Sequence, residues 1–315
     1  MMTIILSLMG CAGLDQETNI SELRVVAIQS EPPELSLSEF SMPISNGSSE
    51  ILPETLDTST EESIDEDAGP VAKILIADPL KEGYQYAVWQ CTNFGDGCLE
   101  AEFFKEEKDL SSWISVGEAT VQEIQVPIQL NPAWFALLEN PELTQPIGAT
   151  GLWVLACAPN QCDIVTKALA GEWELTGFSN PFDLMVSLPI EKTSLGFRVL
   201  YVSQYADETT RLKNPVITPK TEEGITTSSE KPKELLFDIE LFQRDPDTAS
   251  IYGYATVGGF DSNSLVNNIL NELSVEKSLN WYVSEEDAKG EAELFVVVDD
   301  GLGGVSYWTD KASVQ

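Results

Sequence analysis

The sequence predicts a mainly β protein built as two β-sandwich domains in tandem, with a few short helices and a disordered acidic loop. Three observations predict it. Short apolar or alternating runs recur along the chain between clusters of Pro, Gly, Asn and Asp, the pattern of strands and turns. A chain of 315 residues has room for about two domains of ordinary size. Finally, Asp78-Pro79 precedes Tyr84-Gln85-Tyr86-Ala87 by about the distance at which Asp245-Pro246 precedes Tyr252-Gly253-Tyr254-Ala255, a repeat that fits two copies of one sandwich hairpin.

The first domain is expected over residues 22–210. Leu23-Arg24-Val25-Val26-Ala27-Ile28 reads as its first strand, stopped by Glu31-Pro32-Pro33. Residues 41–70 carry Glu50, Glu54, Asp57, Glu61, Glu62, Asp65, Glu66 and Asp67 with no base and few large apolar groups. Such a stretch cannot bury enough surface to offset its ordering entropy, which predicts the disordered insertion. Strand character resumes at residues 71–77, and Tyr84-Gln85-Tyr86-Ala87-Val88-Trp89 alternates like a half-buried strand. Further strands are expected at 123–130, 152–157, 184–188 and 197–203. One helix stands out between them: Asn131 caps it, Pro132 suits its first turn, and Asn140-Pro141 ends it after Glu139. Trp134, Leu137 and Leu138 would share the face that packs on a sheet.

Residues 211–234 are rich in Thr, Ser, Glu, Lys and Pro and suit a connecting segment. The second domain is expected over 235–315, with strands at 235–242 and 251–256. A short helix carrying Leu265, Ile269, Leu270 and Leu273 follows, then a continuous apolar strand at 294–298. Asp299-Asp300-Gly301-Leu302-Gly303-Gly304 reads as a hairpin turn whose glycines supply positive φ, before a return strand at 305–308.

The amino terminus carries an address. Residues 3–9 form an apolar run that ends in Gly10 and Cys11. It is far short of the roughly 20 residues a membrane-spanning helix needs, and suits the core of an export signal. Leu8-Met9-Gly10-Cys11 resembles the lipobox of bacterial lipoproteins, which implies a signal peptide over 1–10, acylation of Cys11, and a polar tether over 11–21. Triacylation would make attachment effectively permanent. Ala12 supplies no retention signal of the aspartate type, which favours the outer membrane or cell surface over the inner membrane.

Charge narrows the partners. There are 52 acids against 17 bases, a formal net charge of -35. Nucleic acid and anionic lipid surfaces are poor partners, because binding them relies on Lys and Arg neutralising phosphates. Acidity fits either calcium and cationic partners or a surface kept soluble in the exterior, and the second is favoured.

Four cysteines remain beyond Cys11: Cys91 with Cys98, and Cys157 with Cys162. Zinc is the competing reading, but the spacing is not the close C-x-x-C pair of structural zinc and the chain has no histidine. Disulfides are favoured. Turn-like residues 92–97 and 158–161 bring each local pair together, yet Trp89 shares a strand face with Cys91, and Trp153 with Cys157. A cross-strand Cys91 to Cys157 bridge therefore stays open.

Several of these segments also carry a resemblance. Leu23 to Ile28 with Glu31-Pro32-Pro33-Glu34-Leu35, Tyr86 to Cys91, Lys213-Asn214-Pro215-Val216-Ile217, and Glu293 through the aspartate and glycine turn to Val305 are similar to an uncharacterised family of lipoproteins from myxobacteria and related predatory or marine bacteria. The terminal turn also resembles the closing hairpin of immunoglobulin-like and PKD-like surface modules. The resemblance implies Ig-like sandwiches outside the cytoplasm and brings no activity or catalytic residue with it.

Without histidine, a Ser-His-Asp triad, a Cys-His pair and an H-E-x-x-H site are excluded. Gly301-Leu302-Gly303-Gly304 lacks the Lys and the spacing of a phosphate loop. Asp299 and Asp300, or Asp245 and Asp247, could donate oxygen ligands to calcium, but neither stretch fits an EF-hand loop and a solvated turn is favoured. No other cofactor is expected. The leading expectation is a non-enzymatic, membrane-anchored scaffold or protein-binding module. A glycan-binding adhesin with exposed Trp113, Trp173 or Trp281 is the alternative, and a hydrolase using two carboxyl groups comes third.

Overall fold

A computed structural model describes residues 18–36, 69–90, 114–128, 148–163, 165–166, 192–203, 212–220, 224–229, 231–243, 245, 249–260, 270, 272–287 and 289–315. Cys11 and the signal segment, most of the acidic insertion, Cys91, Cys98, Trp113, the helix expected at 131–139, Trp173, the strand expected at 184–188 and Asp247 lie outside the described residues.

The chain is mainly β. Its strands run β1 (Arg24–Glu31), β2 (Glu34–Ser36), β3 (Val71–Ala77), β4 (Tyr84–Gln90), β5 (Ile114–Ala119), β6 (Glu123–Pro127), β7 (Gly148–Cys157), β8 (Thr193–Ser203), β9 (Val216–Pro219), β10 (Ile225–Thr227), β11 (Lys233–Glu240), β12 (Ser250–Ala255), β13 (Gly259–Phe260), β14 (Ser274–Tyr282), β15 (Gly290–Asp299) and β16 (Val305–Val314). They form four sheets, ordered β1-β3-β6, β2-β8-β7-β4-β5, β13-β14-β11-β9 and β10-β16-β15-β12.

The weak sequence repeat is a repeat of topology. Order β1-β3-β6 in the first half matches β9-β11-β14 in the second, and β2-β8-β7-β4 matches β10-β16-β15-β12. In each half one short strand runs parallel to the last long strand, β2 beside β8 and β10 beside β16, while the other pairings are antiparallel. This is the strand order of an immunoglobulin-type sandwich. The repeated Asp-Pro and Tyr-x-Tyr-Ala segments are not hairpins, however. They lie where the chain crosses between facing sheets, β3 to β4 and β11 to β12.

Alternation along the strands assembles the layers. Ile74, Ile76, Ile124 and Val126 of the β1-β3-β6 sheet face Val88, Leu152, Val154, Leu200 and Val202 of its partner, making the first core. Leu235, Phe237, Ile239, Leu279 and Trp281 face Ile251, Leu294, Val296 and Val298 in the second. Between the two cores lies a third apolar layer: Val26, Ala27, Leu75 and Ala77 from the outer side of the β1-β3-β6 sheet meet Tyr254, Phe295, Val297 and Val305 from the outer side of β12-β15-β16. A bulge between Val25 and Ala27 turns Val26 and Ala27 to that side while Val25 and Ile28 keep to the first core. The four sheets thus stack as one block, each buried large side chain contributing about 1.5–3 kcal/mol.

Three expectations change. Residues 211–234, read as a connecting segment, supply β9, β10 and the start of β11, because Ile217, Ile225 and Thr227 alternate inward among polar neighbours. Residues 18–20, read as the end of a polar tether, are pinned to the second sandwich, with Ile20 buried. Of the helix expected to end at Leu273, Leu270 is buried but Leu273 is exposed and β14 begins at the next residue.

Candidate functional site

Among the described residues, a cluster of buried polar groups gathers where the two sandwiches meet, around the β15–β16 turn. Asp300 is fully buried. Its Oδ1 accepts the N–H groups of Leu302 at 2.7 Å and Gly304 at 2.9 Å, and its Oδ2 accepts the Gln243 side-chain amide at 2.6 Å. Gln243 also grips Lys213, donating to its carbonyl at 2.6 Å and accepting its N–H at 3.2 Å. Burial pushes the Asp300 carboxyl above the usual carboxylate range, partly offset by the Leu302, Gln243 and Gly304 hydrogen bonds. The turn needs its glycines: Gly303 has φ 113°, and a Cβ on Gly304 would collide with the Asp300 carboxylate.

Asp299 faces the other sandwich. Its Oδ1 accepts Gly301 N–H at 2.7 Å, and its Oδ2 pairs with Arg198 Nη1 of β8 at 3.2 Å. Both side chains are at least nine-tenths buried, so neither charge is relieved by water. Asn214 adds a second link, donating to the Ser30 carbonyl at 2.9 Å and accepting Val305 N–H at 3.0 Å. Glu34 accepts Leu212 N–H at 2.9 Å, and Ser306 donates to the Pro215 carbonyl at 2.6 Å. The carboxylates of Asp299, Asp300 and Glu34 accept from backbone N–H groups, from the Gln243 amide or from Arg198, so the knot holds geometry in place.

Asp299, Asp300 and Asp245 do come together at this end, Asp245 N–H donating to the Asp300 carbonyl at 2.8 Å. Their arrangement is that of turn and ion pair. Among the described residues no three His, Cys, Asp or Glu side chains form a group that could hold a metal.

An open groove of about 570 Å3 lies beside β13 of the second sandwich, lined by Asn19, Gly258, Gly259, Phe260, Tyr282, Ser284 and Asp287. Tyr282 is 41% exposed there. Trp281, expected as an exposed sugar platform, is fully buried, and its indole N–H donates to the Val257 carbonyl at 2.9 Å. The strand alternation that turns Tyr282 out turns Trp281 in.

Cys157 and Cys162 form a disulfide across the turn at Asn160, with Cα atoms 6.0 Å apart. This pairing excludes the Cys91 to Cys157 bridge. The disulfide lies on the outer face of the five-stranded sheet beside Trp89 and Trp153, which sit directly opposite each other and stack at 6.4 Å, and Phe197 packs on Trp153 at 4.5 Å.

Arg198, Asn214, Gln243 and Tyr282 were missed from sequence. Arg198 carried a signal, a lone cation inside the apolar run Phe197-Arg198-Val199-Leu200, whereas Asn214 and Gln243 sit in polar stretches that mark nothing.

No family model and no curated protein matches the chain. Among solved structures it is similar to Salmonella alpha-2-macroglobulin reacted with methylamine, with a TM-score of 0.24 and 7% identity over 95% of this chain and 16% of that one. It is also similar to Escherichia coli alpha-2-macroglobulin activated by porcine elastase, with a TM-score of 0.21 and 9% identity over 96% of this chain and 22% of that one. The chain spans less than a quarter of either protein, and likeness at these scores carries no argument about fold or function.

Proposed function

We propose that this chain is an extracytoplasmic lipoprotein of the outer membrane or cell surface, held by acyl chains on Cys11, whose stacked sandwiches act as a non-enzymatic scaffold or protein-binding surface. The observation that carries this reading is the buried Cys157–Cys162 disulfide. Such bonds persist in oxidising compartments and are rare in the cytosol. The commitment of Asp299, Asp300, Arg198 and Glu34 to ion-pair and backbone hydrogen bonds where the sandwiches meet supports a scaffold. Intact-mass analysis of the membrane fraction tests the anchor: the expected product begins at acylated Cys11 and disappears in Cys11→Ala. An unprocessed, unacylated chain in the cytosol would refute it. Crosslinking in the native cell followed by pull-down then identifies the protein partner.

The second reading is a glycan-binding adhesin. It is favoured by Tyr282, an exposed aromatic beside the polar groups Asn19 and Asp287 in an open groove. Glycan-array binding that vanishes in Tyr282→Ala would support it, and an array without signal would remove it.

A further inference from the structure

We infer that β14 is an open strand edge that binds a partner protein by strand addition, and that Lys277 selects a partner segment carrying a carboxylate. This rests on the protein-binding reading above and adds where the partner binds and what chemistry it brings.

Backbone phase identifies the edge. Leu241 N–H donates to the Leu273 carbonyl at 2.6 Å, and β11 pairs with β14 in unbroken register from Lys233 with Trp281 to Glu240 with Ser274. Antiparallel partners bond through alternate residues, so Val275, Lys277, Leu279 and Trp281 turn their backbone groups to β11. Ser274, Glu276, Ser278 and Asn280 turn theirs the other way, where β13 pairs only with Trp281 and Tyr282. Among the described residues, nothing bonds the backbone of those four along this edge. From Ser274 to Asn280 the edge is about 23 Å long at the usual rise per residue.

The other edges of the described sheets are blunted or covered. Pro127 of β6 and Pro219 of β9 stand at outward-facing positions, because the neighbouring Ile128 and Lys220 donate inward to Pro70 and Leu236, and a proline has no N–H to offer. β5 and β12 carry a central glycine, Gly117 and Gly253, and β12 is taken at Ala255 by Thr18 and Ile20. β1 packs against β8 and β16, and β2 and β10 are short. β14 has no proline, glycine or bulge.

Its side chains set what the edge accepts. Val275, Lys277 and Leu279 point inward, and Glu276, Ser278 and Asn280 face water. Glu276 is held by Lys220, whereas Lys277 has no ion pair or hydrogen bond among the described residues. An inward-pointing edge charge ordinarily turns strands away. Here an apolar strand would cover the Lys277 ammonium without a counter-charge. A strand with Asp or Glu opposite Lys277, and apolar residues two positions to either side, matches the strip. The net charge of -35 repels further acids, so the rest of that segment is neutral or basic.

The test uses the full-length protein in detergent micelles and a fluorescein-labelled peptide, Lys-Thr-Val-Thr-Glu-Thr-Val-Thr-Lys, whose Val-x-Glu-x-Val face fits the strip. The control peptide has Lys in place of Glu. Anisotropy is expected to show about tenfold tighter binding of the Glu peptide, since opposite charges attract across strands and like charges repel. Amide exchange at Glu276, Ser278 and Asn280 is expected to slow when it binds. Lys277→Glu leaves the backbone ladder untouched and is expected to reverse the preference. Equal affinities, or a preference unchanged in Lys277→Glu, would overturn the selection, and exchange unaltered along β14 would overturn the site. Amides at 276, 278 and 280 already protected in the protein alone would overturn it too, the edge then being filled by the chain itself or by a second copy, which light scattering separates. A partner crosslinked in the cell equally to wild type and Lys277→Glu overturns this site and leaves the protein-binding reading standing, whereas no crosslinked partner removes both.

Discussion

The two sandwiches share one strand order and differ in what covers the outer face of the longer sheet. In the second, Phe295 and Val297 of β15 and Tyr254 of β12 are covered by Leu75 and Val26 of the first sandwich. In the first, the equivalent outer residues Trp89, Trp153, Leu155 and Cys157 gather Cys162, Val165 and Phe197 around the disulfide. Residues 151–157 of β7 and 294–298 of β15 are accordingly buried on two faces, which is why each stretch reads as an apolar run where a half-buried strand would alternate. One topology can therefore serve as a terminal module or as a docked one, depending on whether the covering layer is its own or a neighbour's.

That comparison can be broken at its apolar layer first. Phe295→Ala removes a fully buried ring from the shared layer and is expected to cost about 3–5 kcal/mol. Calorimetry should show both sandwiches losing stability together, whereas Trp153→Ala should lower the first alone. If Phe295→Ala leaves the first sandwich untouched, the shared layer does not couple them.

The ion pair comes next. Asp299→Asn keeps the oxygen that accepts Gly301 N–H but leaves Arg198 buried without its carboxylate, at a cost of about 3 kcal/mol in urea unfolding. Combining it with Arg198→Met should restore most of the loss, because the buried charge is gone. A double variant no better than the single would show that the pair contributes more than relief of that charge.

Removing the disulfide is a smaller step. Cys157→Ser with Cys162→Ser frees a short loop and is expected to cost about 2 kcal/mol, in the first sandwich only. Equal loss in both would contradict the assignment of this bond to the covering of one sheet.

The smallest effect is in pH. The Asp300 carboxyl is raised in the folded chain by burial, so its contribution to stability is fully present below the unfolded pKa and is lost as pH rises through the folded one. Wild type should therefore gain relative to Asp300→Asn as pH falls from neutrality toward the carboxylate range. Urea midpoints of the two proteins that keep a constant gap across that window would show that burial does not control this group.

Strands with β-branched or aromatic alternation were legible in the sequence. β3 falls on the expected residues, and β1, β4, β8, β11 and β12 lie within a few residues of expectation. β5, β9, β10, β13 and β14 were not legible. In β14, Val275, Leu279 and Trp281 turn inward on the same side as Lys277, while Glu276, Ser278 and Asn280 face water, so the segment reads as polar. In β5, Gly117 makes room for the Tyr86 ring and adds no apolar signal of its own. The buried knot was half legible: the Asp299-Asp300 turn stood out through its glycines, but its partners Arg198, Asn214 and Gln243 come from distant segments.

The sequence by itself determined the β class, the local Cys157–Cys162 turn, the glycine-dependent hairpin and a duplicated pattern, because each is written in neighbouring residues through alternation, turn chemistry or spacing. Only the tertiary structure decided that Trp281 points inward, that the segment at 211–234 joins the sheets, and that residues 18–20 belong to the second sandwich. Those outcomes depend on which surfaces find each other once the chain has folded, and the burial that fixes them is shared between residues up to about 240 positions apart, as between Thr18 and Phe260.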